Sequence, residues 1–236
     1  MSIRSVLSGQ FTFLSETQIS QFETYFEMLV EQNKVMNLTG ITEEDEVAVK
    51  HFTDSLTCLD IIKNNNVKTL ADIGTGAGFP GIPLKIAMPE LKVTLIDSLD
   101  KRVGFLNSVI SALKLENIEA VHGRAEDEGR NPEFRESFDM AVARAVAPMN
   151  ILTEYCLPFV RNGGLFLAMK GPGEEPDYSN ALKELHGNIV SDELFELKGA
   201  NPEDEIMQRR LILVKKCGNI SSKYPRKAGI PKKKPL

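Results

Sequence analysis

The run Ala71-Asp72-Ile73-Gly74-Thr75-Gly76-Ala77-Gly78-Phe79-Pro80-Gly81 sets glycines at alternate positions behind an acid. Glycine has no Cβ, so the backbone of such a turn can come close to a ligand. The run continues an apolar stretch, Thr69 to Ile73, that reads as a strand, and Pro80 suits a first helical turn. About 20 residues further on, Asp97 ends the next apolar run, where a carboxylate can accept both hydroxyls of a ribose. Strand, glycine turn, helix and distant acid together point to a nucleoside-bearing ligand.

Two such ligands compete for the turn. Asp72 followed by Gly74, Gly76 and Gly78 resembles the loop that cradles S-adenosylmethionine. Gly76, Gly78 and Gly81 also spell G-x-G-x-x-G ahead of Asp97, which makes an NAD(P)-dependent oxidoreductase the alternative. Dinucleotide loops begin their glycines at the strand end, a place Gly74 already occupies, and Asp72 would set a negative charge near a diphosphate. The cationic end of S-adenosylmethionine tolerates that acid better. A tight strand-to-helix connection that binds nothing is the plainest alternative.

Such a turn needs a sheet to hold it. Thr69–Ile73, Val93–Ile96, Ile118–Val121, Met140–Val142 and Leu165–Met169 read as strands alternating with helical stretches, which predicts a parallel sheet with crossover helices. Ile189–Leu197 and Arg209–Val214 flank the turn-rich Gly199–Pro202 and predict an antiparallel pair at one edge, seven strands in all. Ahead of the sheet, Ser15 and Gln18 form a capping box before Ile19, Phe22, Phe26, Leu29 and Val30 at helical spacing. A second helix is expected from Thr42 to Ile62. After Lys216, prolines and glycines interrupt every periodicity, so an extended or mobile tail is expected. The chain thus divides into a helical extension packed on the core (1–66), the core (67–216) and a basic tail (217–236).

Composition bounds the functional classes. With 236 residues, 42% hydrophobic and 26% charged, the chain suits one larger α/β domain carrying a small helical addition. No apolar run approaches the length of a membrane helix, and no membrane association is expected. Cys58, Cys156 and Cys217 lie far apart without C-x-x-C spacing, which suits inert thiols in a reducing, cytoplasmic compartment and provides no zinc cluster. A net charge of −5 conceals an uneven distribution, since the stretch from Met207 onward holds ten of the 28 basic residues and none of the 33 acidic ones. Tyr224 and Arg226 among prolines, then Lys232, Lys233 and Lys234, suit an extended track along RNA phosphates. Donor binding is expected to survive truncation after Gly218.

Several separated motifs carry a closer resemblance. Asp97-Ser98-Leu99-Asp100-Lys101-Arg102-Val103, Gly123-Arg124-Ala125-Glu126 and Ala143-Arg144-Ala145 resemble the RsmG family of small-subunit ribosomal RNA guanine-N7 methyltransferases, also called glucose-inhibited division protein B. Asn37-Leu38-Thr39, His51-Phe52-Thr53-Asp54-Ser55-Leu56 and Tyr224-Pro225-Arg226-Lys227-Ala228-Gly229 extend the likeness over nearly the whole chain. Ile230 departs from the small polar residue expected in the tail. The resemblance implies a Rossmann-like class I S-adenosylmethionine-dependent methyltransferase, α/β, with a seven-stranded, mostly parallel sheet. It implies methylation of one guanine of 16S ribosomal RNA near the decoding centre, with S-adenosylhomocysteine as by-product and no metal. By position, Gly74 and Phe79 would line the donor pocket, Asp97 would hold the ribose, Ala125 and Glu126 the adenine, and Arg144 the mouth where donor meets base. Asp72, Gly76 and Gly78 complete the expected donor set.

The chemistry suits these residues. Guanine N7 carries an in-plane lone pair, so it is a nucleophile at neutral pH and requires no general base. Exocyclic amino targets usually come with a D/N-P-P-Y/F loop after the fourth strand, where this chain has Arg144-Ala145-Val146-Ala147-Pro148. Methylation at carbon would want a cysteine nucleophile, and Cys156 lies inside an expected helix. Arg144 is expected to orient the guanine through O6 or a neighbouring phosphate, its bland alternative being a surface ion pair. His51 and Asp54, three apart, are expected to brace their own helix by a hydrogen bond, with a contact to substrate or donor as the alternative. Phe22 and Phe26 are expected to pack in the core rather than to stack on bases. A non-catalytic ribosome-assembly factor on the same scaffold is a further alternative.

Overall fold

A computed structural model describes residues 1–201 and 203–236. The chain opens with helices α1 (Ile3–Gln10) and α2 (Glu16–Met36). Ser15 and Gln18 form the expected capping box, satisfying backbone amides that the first helical turn leaves free. The buried face of α2 carries Ile19, Phe22, Tyr25 and Leu29. Sequence periodicity favoured Phe26, yet Tyr25 is the ring that is fully buried while Phe26 stays partly exposed. A buried phenol requires a partner, and Tyr25 Oη finds one by donating to Ala77 O at 2.5 Å, inside the glycine turn.

The second helical stretch is less regular than expected and is broken into pieces between Glu44 and Asn64. It runs as α3 (Glu44–Val47), a wider π-type turn (Ala48–Thr53) and α4 (Asp54–Leu56), then breaks at Thr57 and Cys58 before α5 (Leu59–Asn64). Hydroxyls take over backbone carbonyls here, Ser55 Oγ donating to His51 O at 2.6 Å and Thr57 Oγ1 to Asp54 O at 2.7 Å. Such side-chain bonds compete with the regular ladder and mark irregular turns. Among the described residues, no helix is long and apolar enough to cross a membrane.

The sheet follows the expected plan. Its strands are β1 (Thr69–Ile73), β2 (Lys92–Asp97), β3 (Ile118–His122), β4 (Phe138–Arg144), β5 (Val160–Lys170), β6 (Gly187–Leu197) and β7 (Met207–Lys216), in spatial order β3-β2-β1-β4-β5-β7-β6. The first five are parallel, and β7 inserts antiparallel between β5 and β6. Pro202, in the expected turn between β6 and β7, lies outside the described residues. Apolar runs such as Leu70, Ala71 and Ile73 are buried because helices cover both sheet faces. Those helices include α6 (Gly81–Ala87), α7 (Asp100–Ala112), α8 (Ala125–Glu128), α9 (Met149–Cys156) and α10 (Ser179–Glu184). From β1 the order runs outward to β2 and β3 on one side and to β4 and β5 on the other. At such a reversal the loops leaving the central strands part, and a crevice opens beyond their carboxyl ends.

The C-terminal segment contradicts the expected extended or mobile tail. It folds back on the face built by α8 and α9, Tyr224 is buried, and a short helix α11 (Ile230–Lys233) closes it. Glu154 explains this: fully buried in α9, it accepts the Arg226 amide at 2.7 Å and Arg226 Nη2 at 2.6 Å. A buried carboxylate must be paired, so the residue that pairs it is drawn to α9.

Candidate donor and base site

The crevice is shaped by the loops after β1 and β4. Gly74, Gly76 and Gly78 all have positive φ, at 69°, 64° and 108°. A Cβ on Gly74 would lie 2.8 Å from Val146 Cγ2, so the two loops touch there. A Cβ on Gly76 would meet nothing within 4 Å, leaving that stretch of backbone open. Gly78 is different: its Cβ would sit 2.6 Å from both Tyr25 Oη and Ile82 Cδ1, so its surroundings are protein packing.

The amides of the turn are already engaged. Gly74 N and Thr75 N donate to Ile96 O at 2.8 and 3.1 Å, and Gly76 N donates to Asp97 Oδ2 at 2.9 Å. A diphosphate needs a nest of free amides, and these three face the end of the neighbouring strand β2 and its acid. Asp72 is fully buried, with Oδ2 accepting from Thr75 Oγ1 at 2.7 Å and from Gly81 N at 2.8 Å. Its Oδ1 is buried without a partner among the described residues. Burial pushes the Asp72 carboxyl up to about 6, against the opposing pull of those hydrogen bonds and of Arg144. Asp97 also receives Leu99 N at 2.9 Å on Oδ1 and Arg102 Nη1 at 3.5 Å on Oδ2, so the lone pair left for a hydroxyl donor is on Oδ1.

A cleft of about 180 Å³ lies between Gly74, Ile96, Ala125, Glu126 and Val146. Tyr155 also borders it, and burial with the neighbouring Glu126 and Glu154 carboxylates holds that phenol up at about 12, so it stays protonated. A second cavity of about 360 Å³ opens beyond Arg144 and is rich in cations, with Arg144, Lys170, Arg209 and Arg210 on its walls. Arg144 and Val146 are two residues apart at the end of β4, and Ala145 between them adopts a φ of 57°. That turn aims Val146 at the first space and Arg144 at the second.

Arg144 is clamped on several sides. Nη1 donates to Asp54 Oδ2 at 2.9 Å and to Lys50 O at 3.2 Å, and Nη2 reaches His51 Nδ1 at 3.3 Å. The guanidinium carbon lies 4.9 Å from the Phe79 ring centroid, and His51 stacks on that ring at 4.6 Å. Phe79 is therefore nearly buried beneath the arginine. His51 and Asp54 converge on Arg144, contrary to the expectation that they brace their own helix. Arg144 is no surface ion pair either, its side chain being 14% exposed and that of Asp54 5%. Burial and the Arg144 charge push His51 down to about 3, so the ring is neutral at ordinary pH. Nδ1 lies 3.2 Å from Lys50 O as well as beside Arg144; with the ring proton assigned to Nε2, 2.8 Å from Thr39 Oγ1, Nδ1 accepts from Arg144 and Lys50 O takes its hydrogen bond from Arg144 Nη1. A guanidinium has five N–H donors, and two of those on Arg144 remain for a substrate acceptor.

Arg209 is a site residue that nothing in its sequence surroundings singles out. It comes from β7 and donates through Nε to Asp54 Oδ1 at 3.1 Å, so one carboxylate bridges two guanidiniums. No local pattern links positions 54 and 209.

A parallel sheet with this reversal, a glycine turn after its central strand and an acid ending the next strand define a class I S-adenosylmethionine-dependent methyltransferase. Solved structures share the fold at low identity: a putative O-methyltransferase from Klebsiella pneumoniae (TM-score 0.53, 10% identity, 87% of this chain and 98% of that one) and a putative methyltransferase from Bacillus halodurans (TM-score 0.51, 15% identity, 70% and 100%). The family described as GidB, rRNA small subunit methyltransferase G, matches residues 18–190. Relatives named ribosomal RNA small subunit methyltransferase G are 50% identical in Lactobacillus helveticus (94% of this chain, 93% of the relative) and 48% identical in Brevibacillus brevis (98% and 96%). The chain belongs to the GidB family. The dinucleotide alternative falls with that membership and with the engaged amides of the turn.

A pH prediction follows from Asp72. The folded chain holds its proton more tightly than the unfolded chain, so Asp72 lowers stability as pH climbs from the ordinary 3.8 to about 6. On the expectation that the donor's cation binds near it, the ionised form is favoured. Donor affinity is expected to rise roughly ten-fold between about pH 5 and pH 7, and Asp72→Asn to flatten that rise. Titration calorimetry at several pH values checks this, and a pH-independent parent affinity would contradict it.

Proposed function

We propose that this protein transfers a methyl group from S-adenosylmethionine to N7 of a guanine in 16S ribosomal RNA, near the decoding centre of the small subunit, in the cytoplasm. The observation that carries the reading is Arg144, fixed by Asp54, His51 and Phe79 between a glycine-walled cleft and a cation-rich cavity. Names of the relatives support ribosomal RNA of the small subunit as the substrate.

In this reading Gly74 and Gly76 let the donor approach the backbone, Asp97 takes its ribose, and Ala125 and Glu126 border its adenine. The unpartnered Asp72 Oδ1 lies near the end of β1, just ahead of the turn, and adds negative charge that favours a cationic ligand. Gly78 and Phe79 act from behind, one admitting Tyr25 and the other supporting Arg144. When bound, the donor supplies an electrophilic methyl group on a sulfonium. The chain's own part is orientation: Arg144 offers its remaining N–H groups to guanine O6 or a phosphate and so holds the N7 lone pair in line. Bringing reacting atoms to about 3–3.5 Å in the right direction is worth up to roughly 7–11 kcal/mol. N7 has no proton to lose, and neutral His51, engaged by Arg144 and Thr39, is not needed as a base. Lys227, Lys232, Lys233 and Lys234 are exposed and suit RNA phosphates, whereas Arg226 is committed to Glu154.

Mass spectrometry of 16S ribosomal RNA from cells with and without the gene tests the assignment. One guanine bearing an N7 methyl only when the gene is present is expected. A methyl on an exocyclic amine, a pyrimidine carbon or no base at all would overturn it.

A further inference from the structure

The cleft of about 180 Å³ has a wall that the core does not build. Gly229 and Lys232 border it, together with Gly74 and Ala125. The segment that brings them there is anchored at three points. Glu154 pairs with Arg226, Arg130 Nε donates to Pro225 O at 2.7 Å, and Arg135 Nη1 donates to Tyr224 O at 2.8 Å. Past these anchors the chain turns at Gly229, whose φ is 80°, and the Gly229 amide donates to Glu126 Oε1 at 2.8 Å. Glu126 is 5% exposed, so its contact with Gly229 lies out of water where hydrogen bonds are strongest.

We propose that residues 228–232 form the outer wall of the donor pocket on its adenine side, with the Gly229 amide holding the Glu126 carboxylate in place for the donor. This rests on the reading that the cleft takes S-adenosylmethionine. It reverses the expectation that donor binding survives loss of the tail. A pocket closed by a docked segment buries more of its ligand than an open groove, and affinity then depends on how well the segment is seated.

The test is titration calorimetry with S-adenosylhomocysteine on the full chain and two variants, with thermal unfolding of each measured without ligand. Deleting residues 228–236 keeps the Arg226–Glu154 anchor and removes both the amide and Lys232. It is expected to weaken binding roughly ten-fold. Gly229→Ala keeps every side chain, and its methyl meets nothing within 4 Å, but the φ of 80° disfavours an L residue and loosens the turn. About a three-fold loss is expected there, with an unfolding midpoint like the parent's. Parent-like affinity in both variants would overturn the proposal. A full chain that fails to bind S-adenosylhomocysteine would instead overturn the donor reading on which the wall rests.

Discussion

Arg144→Ala is expected to lower kcat/KM for methyl transfer to ribosomal RNA by about 10³-fold while donor affinity changes little. The magnitude is that of losing a preorganised donor together with the alignment it enforces. Stability falls too, because Asp54 is buried and loses one of its two guanidiniums; with Arg209 still 3.1 Å away, about 1–3 kcal/mol is expected. Arg144→Lys separates charge from shape. It keeps the cation but lacks the planar fork that engages Asp54, His51 and a substrate acceptor at once, so most of the activity should remain lost. Single-turnover transfer of a radiolabelled methyl group measures the rate, and thermal unfolding measures the fold. An alanine variant that turns over at the parent rate would remove Arg144 from the mechanism.

Asp54→Ala should hurt both fold and rate. The carboxylate separates Arg144 from Arg209, and its removal leaves two partly buried cations facing each other, at about 3 kcal/mol by comparison with other broken buried pairs. Freed from its clamp, Arg144 loses the orientation on which transfer depends, and a rate loss of about 10²-fold is expected. Removing Arg209 as well relieves the repulsion. The double variant Asp54→Ala, Arg209→Ala should therefore be more stable than the sum of the single changes predicts, as contacting residues couple. Denaturant unfolding of the four proteins checks this, and strict additivity would show that Asp54 and Arg209 are not coupled.

What the sequence disclosed follows from how far each signal reaches along the chain. The parallel strands, the glycine turn and Asp97 are legible because each rests on a run of neighbouring residues with one periodicity or one backbone demand. The antiparallel edge of β6 and β7 is legible for the same reason. Apolar periodicity favours Phe26 over Tyr25 because a phenol looks less apolar than a phenyl ring until Ala77 O supplies its partner. His51 and Asp54 looked like a local pair since only their spacing was visible, whereas their partners lie at positions 144 and 209. In the tail, proline and glycine do interrupt regular structure, and that local signal alone implies an extended or mobile segment. What orders it is a buried carboxylate 72 positions upstream and two arginines gripping its carbonyls. In each case a long-range electrostatic demand overrode a local pattern.

The most direct measurement is a crystal structure of the protein with S-adenosylhomocysteine. Adenine is expected between Ala125, Glu126 and Gly229, the ribose hydroxyls on Asp97, and the sulfur beside Gly74 on the side that faces Arg144. Ligand seated elsewhere, or a sulfur turned away from Arg144, would contradict the account.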